Sequence, residues 1–396
     1  MDSNVLIYNP YTGGHYFEHF HHLLLQLSEN PMNDLHLYCC IPSEYETKIN
    51  AIKFNIPCNV TFYFIPERLD YLERLKEERE FELINNICEE NSIKIIFFPH
   101  IERARKVIRL ISKNKYSLYG VLFYPFSRIS FKNKYFVHRF LKTPLVQLQS
   151  IITTYRIFFN KSWENVFIMN DAKSVEIYRK LPLIKNTFEF IPDPMPHFTS
   201  QEVTINTRER YNISPKKKLV VCLGSLSERK NVHRLVTATK SLNKKAKDNF
   251  ILLIAGAGDS GYTDHINELI GDDQNIVFDN RFLDEAEFNA AIQDADIVAI
   301  PYLNFFWSSG LLNHAIFHRK KILASDTGLI SDFVKHYNLG EIVNPYDIAS
   351  LERGMYNLLT KEYSMEIKRF YKEKKPTAEA FASTILQSLL KGRDNI

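Results

Sequence analysis

The chain has 396 residues, 45% of them hydrophobic and 24% charged, with a formal net charge of +4. That charge is too small to argue for a nucleic-acid partner and leaves only weak attraction to an anionic surface or substrate. The length predicts two domains, and no uninterrupted apolar stretch is long enough to predict a transmembrane helix.

The N-terminus M-D-S-N-V-L-I-Y-N-P lacks the basic start and apolar core of a signal peptide. Cys39, Cys40, Cys58, Cys88 and Cys222 show no C-x-x-C spacing, so they read as reduced core residues of a cytosolic protein. The 29 Phe and 21 Tyr read first as packed core, with ligand or lipid contact as the rarer use.

Val5–Tyr8 is an apolar strand that stops at Asn9-Pro10-Tyr11-Thr12-Gly13-Gly14, and a helical pattern follows through Phe17, Phe20, Leu23, Leu24 and Leu27. Leu35–Ile41 and Val60–Ile65 are strands, and Leu69–Cys88 is a charged amphipathic helix. Ile93–Phe98 reads as a buried strand ending at Pro99-His100. Tyr119–Tyr124 and Asn165–Met169 add two more strands. Three prolines in Ile191-Pro192-Asp193-Pro194-Met195-Pro196 exclude a helix interior and mark a linker.

The rhythm then restarts. Strands are expected at Leu219–Leu223, Phe250–Ala255, Asn275–Phe278, Ile297–Pro301 and Ile322–Ala324. Helices are expected at Lys230–Leu242, Glu285–Ala295, Ser309–His318 and Ala378–Lys391. Strands alternating with helices predict doubly wound, mostly parallel sheets. The expected domains are residues 1–192 and 197–375, with 376–396 a helix packing back. Two such domains joined by a hinge face a cleft, and ligands in open α/β sheets sit at the carboxyl ends of strands.

The candidate residues follow strands. Gly13 and Gly14 allow close backbone approach to a ligand, or simply shape the turn. Lys230, after Gly224-Ser225-Leu226-Ser227, reads as a point charge for phosphate or as a solvated surface lysine. Gly256-Ala257-Gly258-Asp259 is half of a dinucleotide fingerprint whose spacing is not completed, so NAD is not expected. Ser308-Ser309-Gly310-Leu311 opens a helix whose first amides suit phosphate. His100 reads as a group that orients or deprotonates a hydroxyl, with Glu102 as the competing base and a plain strand-end cap as the alternative. His15, His19, His21 and His22 are spread around a helix and read as a solvated surface rather than a metal cluster. Phe123–Lys142 is aromatic and basic, suiting an acceptor loop, a membrane-surface contact or a plain connection.

V-V-C-L-G-S-L-S-E-R-K-N-V-H-R-L-V-T-A, F-I-L-L-I-A-G-A-G, F-L-D-E-A-E-F-N-A-A-I-Q-D-A-D-I-V-A-I-P-Y and K-K-I-L-A-S-D-T-G-L-I-S-D-F-V occur in order. Together they resemble the C-terminal domain of the GT-B-fold retaining glycosyltransferases, the group 1 or family 4-like set. The resemblance implies two Rossmann-like domains, a nucleotide-diphosphate sugar bound mainly by the second, and a glycan or lipid-linked acceptor met mainly by the first. It implies no metal cofactor, the diphosphate charge being met by basic side chains and helix amides. It also implies transfer with retention, a role in bacterial surface polysaccharide synthesis, and a cytoplasmic enzyme with possible peripheral contact at the inner membrane face.

The chain departs from that pattern at three positions. Ser225 stands where the family places an Arg. Phe306 and His314 fall on the two glutamates of its E-x7-E motif. The second glutamate contacts the donor ribose, a role that Asn313 or a neutral His314 can fill as an acceptor; Phe306 cannot replace the first. A noncatalytic binding or partner subunit, and a nucleotide-sugar epimerase or hydrolase, therefore stand as alternatives.

Overall fold

The structure is a computed structural model that describes residues 3–12, 16–52, 54–65, 73–111, 115–128, 151–152, 155, 160–181, 188–195 and 205–392. The chain divides into two units, Met1–Pro194 with Lys375–Ile396, and Met195–Lys374.

The first unit is built on seven strands: β1 (Ser3–Tyr8), β2 (Leu35–Pro42), β3 (Val60–Ile65), β4 (Ile95–Phe98), β5 (Ser117–Leu122), β6 (Trp163–Met169) and β7 (Phe188–Ile191). Their order is β3-β2-β1-β4-β5-β6-β7, every neighbouring pair parallel. In β1 the pleat sends Val5 and Ile7 to one face, with Phe20, Leu24 and Leu27. Leu6 and Tyr8 go to the other, with Ile84, Ile87 and Val107. A strand covered on both faces must be apolar throughout, which is why these runs show no polar alternation.

The second unit has six strands: β8 (Lys218–Leu223), β9 (Phe250–Ala255), β10 (Ile276–Asp279), β11 (Ile297–Ile300), β12 (Lys321–Ser325) and β13 (Gly340–Val343). Their order is β10-β9-β8-β11-β12-β13, again parallel throughout. β9 reads FILLIA and is buried at all six positions. Helix starts are specified locally. Asp284 and Glu287 form a reciprocal capping box on Glu285–Asp294, and Asp259 accepts from the Tyr262 amide to cap Ser260–Ile270.

The helix Ala378–Lys391 returns to the first unit. Phe381, Ile385, Leu386 and Leu389 complete the face lined by Phe20, Leu24 and Leu27. Burying each such side chain contributes about 2 kcal/mol.

This packing corrects the reading of the histidine-rich helix. It runs Tyr16–Glu29, and His19 and His22 are buried in it rather than solvated. Their rings lie 4.9 and 6.4 Å from the ring of Phe381. An imidazole can serve as a flat core ring, and a distant segment supplies the cover. Among the cysteines, Cys39, Cys40, Cys88 and Cys222 are buried, while Cys58 is exposed and so is not a core residue.

The expected helix Lys230–Leu242 is present but starts two residues later. A single 3₁₀ turn covers Glu228–Lys230, Asn231 adopts φ 62°, and the α-helix runs Val232–Ser241. The cause is long-range. Asn231 Nδ2 donates to the carbonyls of Pro301 and Pro345, and that bonding holds the left-handed backbone. No described helix is long and apolar enough to cross a membrane.

Candidate functional site

In an open parallel sheet a crevice forms where strand order doubles back, because the helices leaving the two central strands go to opposite faces. That point lies between β8 and β11 in the second unit and between β1 and β4 in the first. Most of the candidate residues fall on the loops at these two points.

In the second unit the chain leaves β8 through Gly224 and Ser225. Gly256, after β9, has φ +150°, and a Cβ there would run into the Gly224 carbonyl. The two loops therefore pack backbone to backbone, and only glycine permits it. Ser225 is exposed beside this contact.

Lys230 ends the 3₁₀ turn ahead of this helix, and its side chain folds back over the strand end instead of pointing into solvent. It is 6% exposed. Its Nζ donates to the Leu223 carbonyl and lies 5.3 Å from the Tyr302 ring centroid. It forms no ion pair with any described residue. An ammonium buried against a carbonyl and a π face has no counter-charge among the described residues, an arrangement that suits an anionic group. The same ammonium opposes the effect of burial on the Cys222 thiol, which burial pushes upward.

The β11 loop is tied to the β8 loop. The Leu303 amide donates to the Arg229 carbonyl at 2.8 Å, and the Arg229 guanidinium lies 5.0 Å from the rings of both Tyr302 and Phe305. This loop leads into the helix Gly310–Phe317. Ser309 is its N-cap, in extended conformation, but its side chain makes no capping bond. Ser308 is half-buried, and the first turn begins with Gly310 and Leu311. Asn313 is 2% exposed, and its Oδ1 has no hydrogen-bond partner among the described residues. His314, also buried, meets Phe288 edge-on at 5.3 Å.

Phe306 is packed inside this loop. Gly328, at φ +76°, sits so close that a Cβ would run into the Phe306 backbone, and the Leu329 amide donates to the Phe306 carbonyl at 2.9 Å. Phe306 therefore anchors the chain leaving β12. No carboxylate stands at this position.

In the first unit His100 follows β4 as the N-cap of the helix Ile101–Leu110, and its side chain makes no capping bond. It is 6% exposed, with Nδ1 3.0 Å from Oε2 of Glu102. Oε1 of Glu102 accepts the amides of Phe123 and Tyr124 at 2.8 and 2.6 Å. The Phe123 ring then stacks on His100 at 4.5 Å, and Tyr16 meets His100 edge-on at 5.6 Å. Glu102 is thus occupied by backbone amides. Its Oε2 approaches His100 Nδ1 closely, but neither atom has a hydrogen-bond partner among the described residues. Burial, opposed by Arg103, raises the Tyr16 phenol.

Gly13 and Gly14 lie outside the described residues, as does most of Phe123–Lys142. Sequence reasoning did not single out Asn9, Arg229, Asn231 or Tyr302, and it read Phe123 only as the start of the aromatic, basic stretch Phe123–Lys142. Asn9 alone carried a readable signal, a polar residue ending an apolar strand ahead of the glycines.

Residues 203–376 match the family model described as Glycosyl transferases group 1. No curated protein matches the chain. Among solved structures, it is similar to sucrose-phosphate synthase from Thermosynechococcus elongatus, with 14% identity over 100% of each chain and a TM-score of 0.68. It is also similar to WaaG, a glycosyltransferase involved in lipopolysaccharide biosynthesis, with 15% identity over 98% of each chain and a TM-score of 0.58. A UDP-forming trehalose-phosphate synthase from Burkholderia xenovorans is 13% identical over 98% of this chain and 99% of its own, with a TM-score of 0.64. At these identities the likeness is one of fold. The chain has the two Rossmann-like domains of the GT-B architecture, and its second unit carries the match to the group 1 glycosyltransferases.

Proposed function

We propose that the chain is a glycosyltransferase that moves a sugar from a nucleotide-diphosphate sugar to a glycan or lipid-linked acceptor. The observation that carries this reading is Lys230, a buried ammonium at the switch point of the second unit with no carboxylate partner among the described residues. A diphosphate supplies the missing charge, and the uncapped first turn at Ser309-Gly310-Leu311 offers amides to it. Asn313 Oδ1 accepts a donor hydroxyl, with His314 beside it.

Chemically, the bond from the sugar anomeric carbon to the diphosphate oxygen breaks, and a bond from that carbon to the acceptor oxygen forms. The acceptor proton passes to the departing phosphate oxygen, so the new bond forms on the face the leaving group vacates and configuration is retained. His100, with the Glu102 carboxylate beside it, aligns the acceptor hydroxyl and polarises its O–H. Lys230 and the helix amides stabilise the charge developing on the diphosphate, so the proposal includes no metal. A hexosyl donor, a role in bacterial surface polysaccharide and a cytoplasmic site, with peripheral membrane contact, belong to the same proposal.

A thermal-shift titration with UDP, GDP, ADP and dTDP tests it. At least one diphosphate should raise the melting temperature by several degrees and its nucleoside should not; no shift with any of them removes the basis of the reading. The burial of Phe306 and His314 where the resemblance places carboxylates favours a second reading, a noncatalytic subunit that binds the nucleotide without transfer.

A further inference from the structure

Asn9 directly follows β1, the central strand at the switch point of the first unit. Its amide donates to the Cys40 carbonyl at 3.0 Å, extending the β1–β2 ladder by one residue. Continuing the β1–β4 register places it beside Pro99, so its neighbour across the crevice is the strand end that carries His100. The residue is 2% exposed, yet neither Oδ1 nor Nδ2 meets a hydrogen-bond partner among the described residues.

Buried side-chain amides are normally satisfied, because leaving one dry forfeits the hydrogen bonds it made in water. Here both ends of one buried amide stay unpartnered among the described residues, on the strand end next to the one that carries His100. The chemistry of an amide narrows what fits. It presents a donor and an acceptor in one plane. A phosphate would satisfy Nδ2 and set its charge against Oδ1, and an apolar group would satisfy neither. Two adjacent hydroxyls, each both donor and acceptor, satisfy both ends together.

Resting on the acceptor-side reading above, we propose that Asn9 is a substrate-binding residue whose amide takes a pair of neighbouring hydroxyls on a sugar ring. It holds the ring at the β1–β4 crevice and presents a hydroxyl to His100. Asn9 makes no bond to the transferred atoms, so its role lies in recognition, and its loss weakens sugar binding more than the chemical step.

The test is binding of methyl α- and β-glycosides of glucose, mannose and galactose to the full chain, followed by saturation-transfer NMR. At least one glycoside should bind the wild type, and Asn9→Leu should weaken it tenfold or more. The melting temperature of that variant should hold or rise, since an unpartnered amide has been removed. Asn9→Asp, which keeps acceptors and loses the donor, should fall between the two. Should Asn9→Leu fail to fold, Asn9→Ala carries the same expectation. Sugar affinity within twofold of wild type in the folded variant overturns the proposal and leaves Asn9 to hold an internal water. A wild type that binds none of the glycosides overturns it equally. UDP and GDP titrated in parallel separate the two claims: nucleotide binding that persists while the glycoside result fails refutes the role of Asn9 alone.

Discussion

Nδ1 of His100 stands 3.0 Å from Oε2 of Glu102, while Oε1 of the same carboxylate holds the amides of Phe123 and Tyr124. One carboxylate therefore sets its charge beside the imidazole and holds the backbone of the aromatic residue stacked on it. Glu102→Gln keeps an oxygen for the two amides and removes the charge, so kcat for transfer should fall about 10–100-fold with little change in melting temperature. Glu102→Ala also strips two backbone donors of their acceptor and should cost about 2 kcal/mol of stability. His100→Ala should lower kcat by about 10²–10⁴. Steady-state kinetics beside chemical denaturation separates the effects; equal kcat in Glu102→Gln and wild type would leave Glu102 with the loop alone.

Lys230→Gln should weaken UDP or GDP binding by about 10–100-fold, the worth of a charge-assisted contact. Uridine or guanosine affinity should hardly change, because neither carries the diphosphate. The ligand-free variant should be no less stable, since a buried charge without a counter-ion is relieved. Calorimetric titration reads the pair; equal losses for nucleotide and nucleoside would mean that Lys230 shapes the loop instead of meeting phosphate.

Gly328→Ala places a Cβ into the Phe306 backbone at a residue whose φ is +76°. Both effects act in the same direction, and the loss should be about 2–4 kcal/mol in urea unfolding. A variant as stable as wild type would show that the β12 turn can move away from Phe306.

His318 titrates unusually. Burial first, and then Lys320, lowers its pKa from 6.5 to about 4. The folded chain thus favours the neutral ring, while the unfolded chain takes up a proton near pH 6.5. The stabilisation from His318 is present above pH 6.5 and is lost as pH falls from there toward about 4. His318→Phe should flatten the stability curve over that interval by up to one proton of slope. An unchanged slope would assign the acid sensitivity to other groups.

The periodicity of the chain revealed most of the parallel strands, since strands buried on both faces are apolar throughout. β7 and β13 were not read. Phe188–Ile191 and Gly340–Val343 carry Glu189 and Glu341 within four-residue strands, too short and too polar to stand out. The left-handed residue Asn231 ahead of the helix was hidden because the bonding that holds it, to Pro301 and Pro345, lies far along the sequence. Lys230 was legible as a candidate, but its burial was not, since its side chain folds back over the strand end. His19 and His22 looked solvated because Phe381, their cover, lies at the other end of the chain. Phe123 was legible only as the start of an aromatic, basic stretch, because the carboxylate that holds its amide, Glu102, lies 21 residues earlier.

Transfer itself is measured most directly by incubating the full chain with UDP-, GDP-, ADP- and dTDP-sugars and a panel of glycoside and lipid-linked acceptors. Proton NMR then follows released nucleotide and the anomeric signal of the product. A glycosyltransferase of the proposed kind releases one nucleoside diphosphate for each new glycosidic bond and keeps the donor's anomeric configuration. Tight nucleotide binding with no sugar transferred from any donor to any acceptor would contradict it, and would leave the chain as a binding subunit on a glycosyltransferase fold.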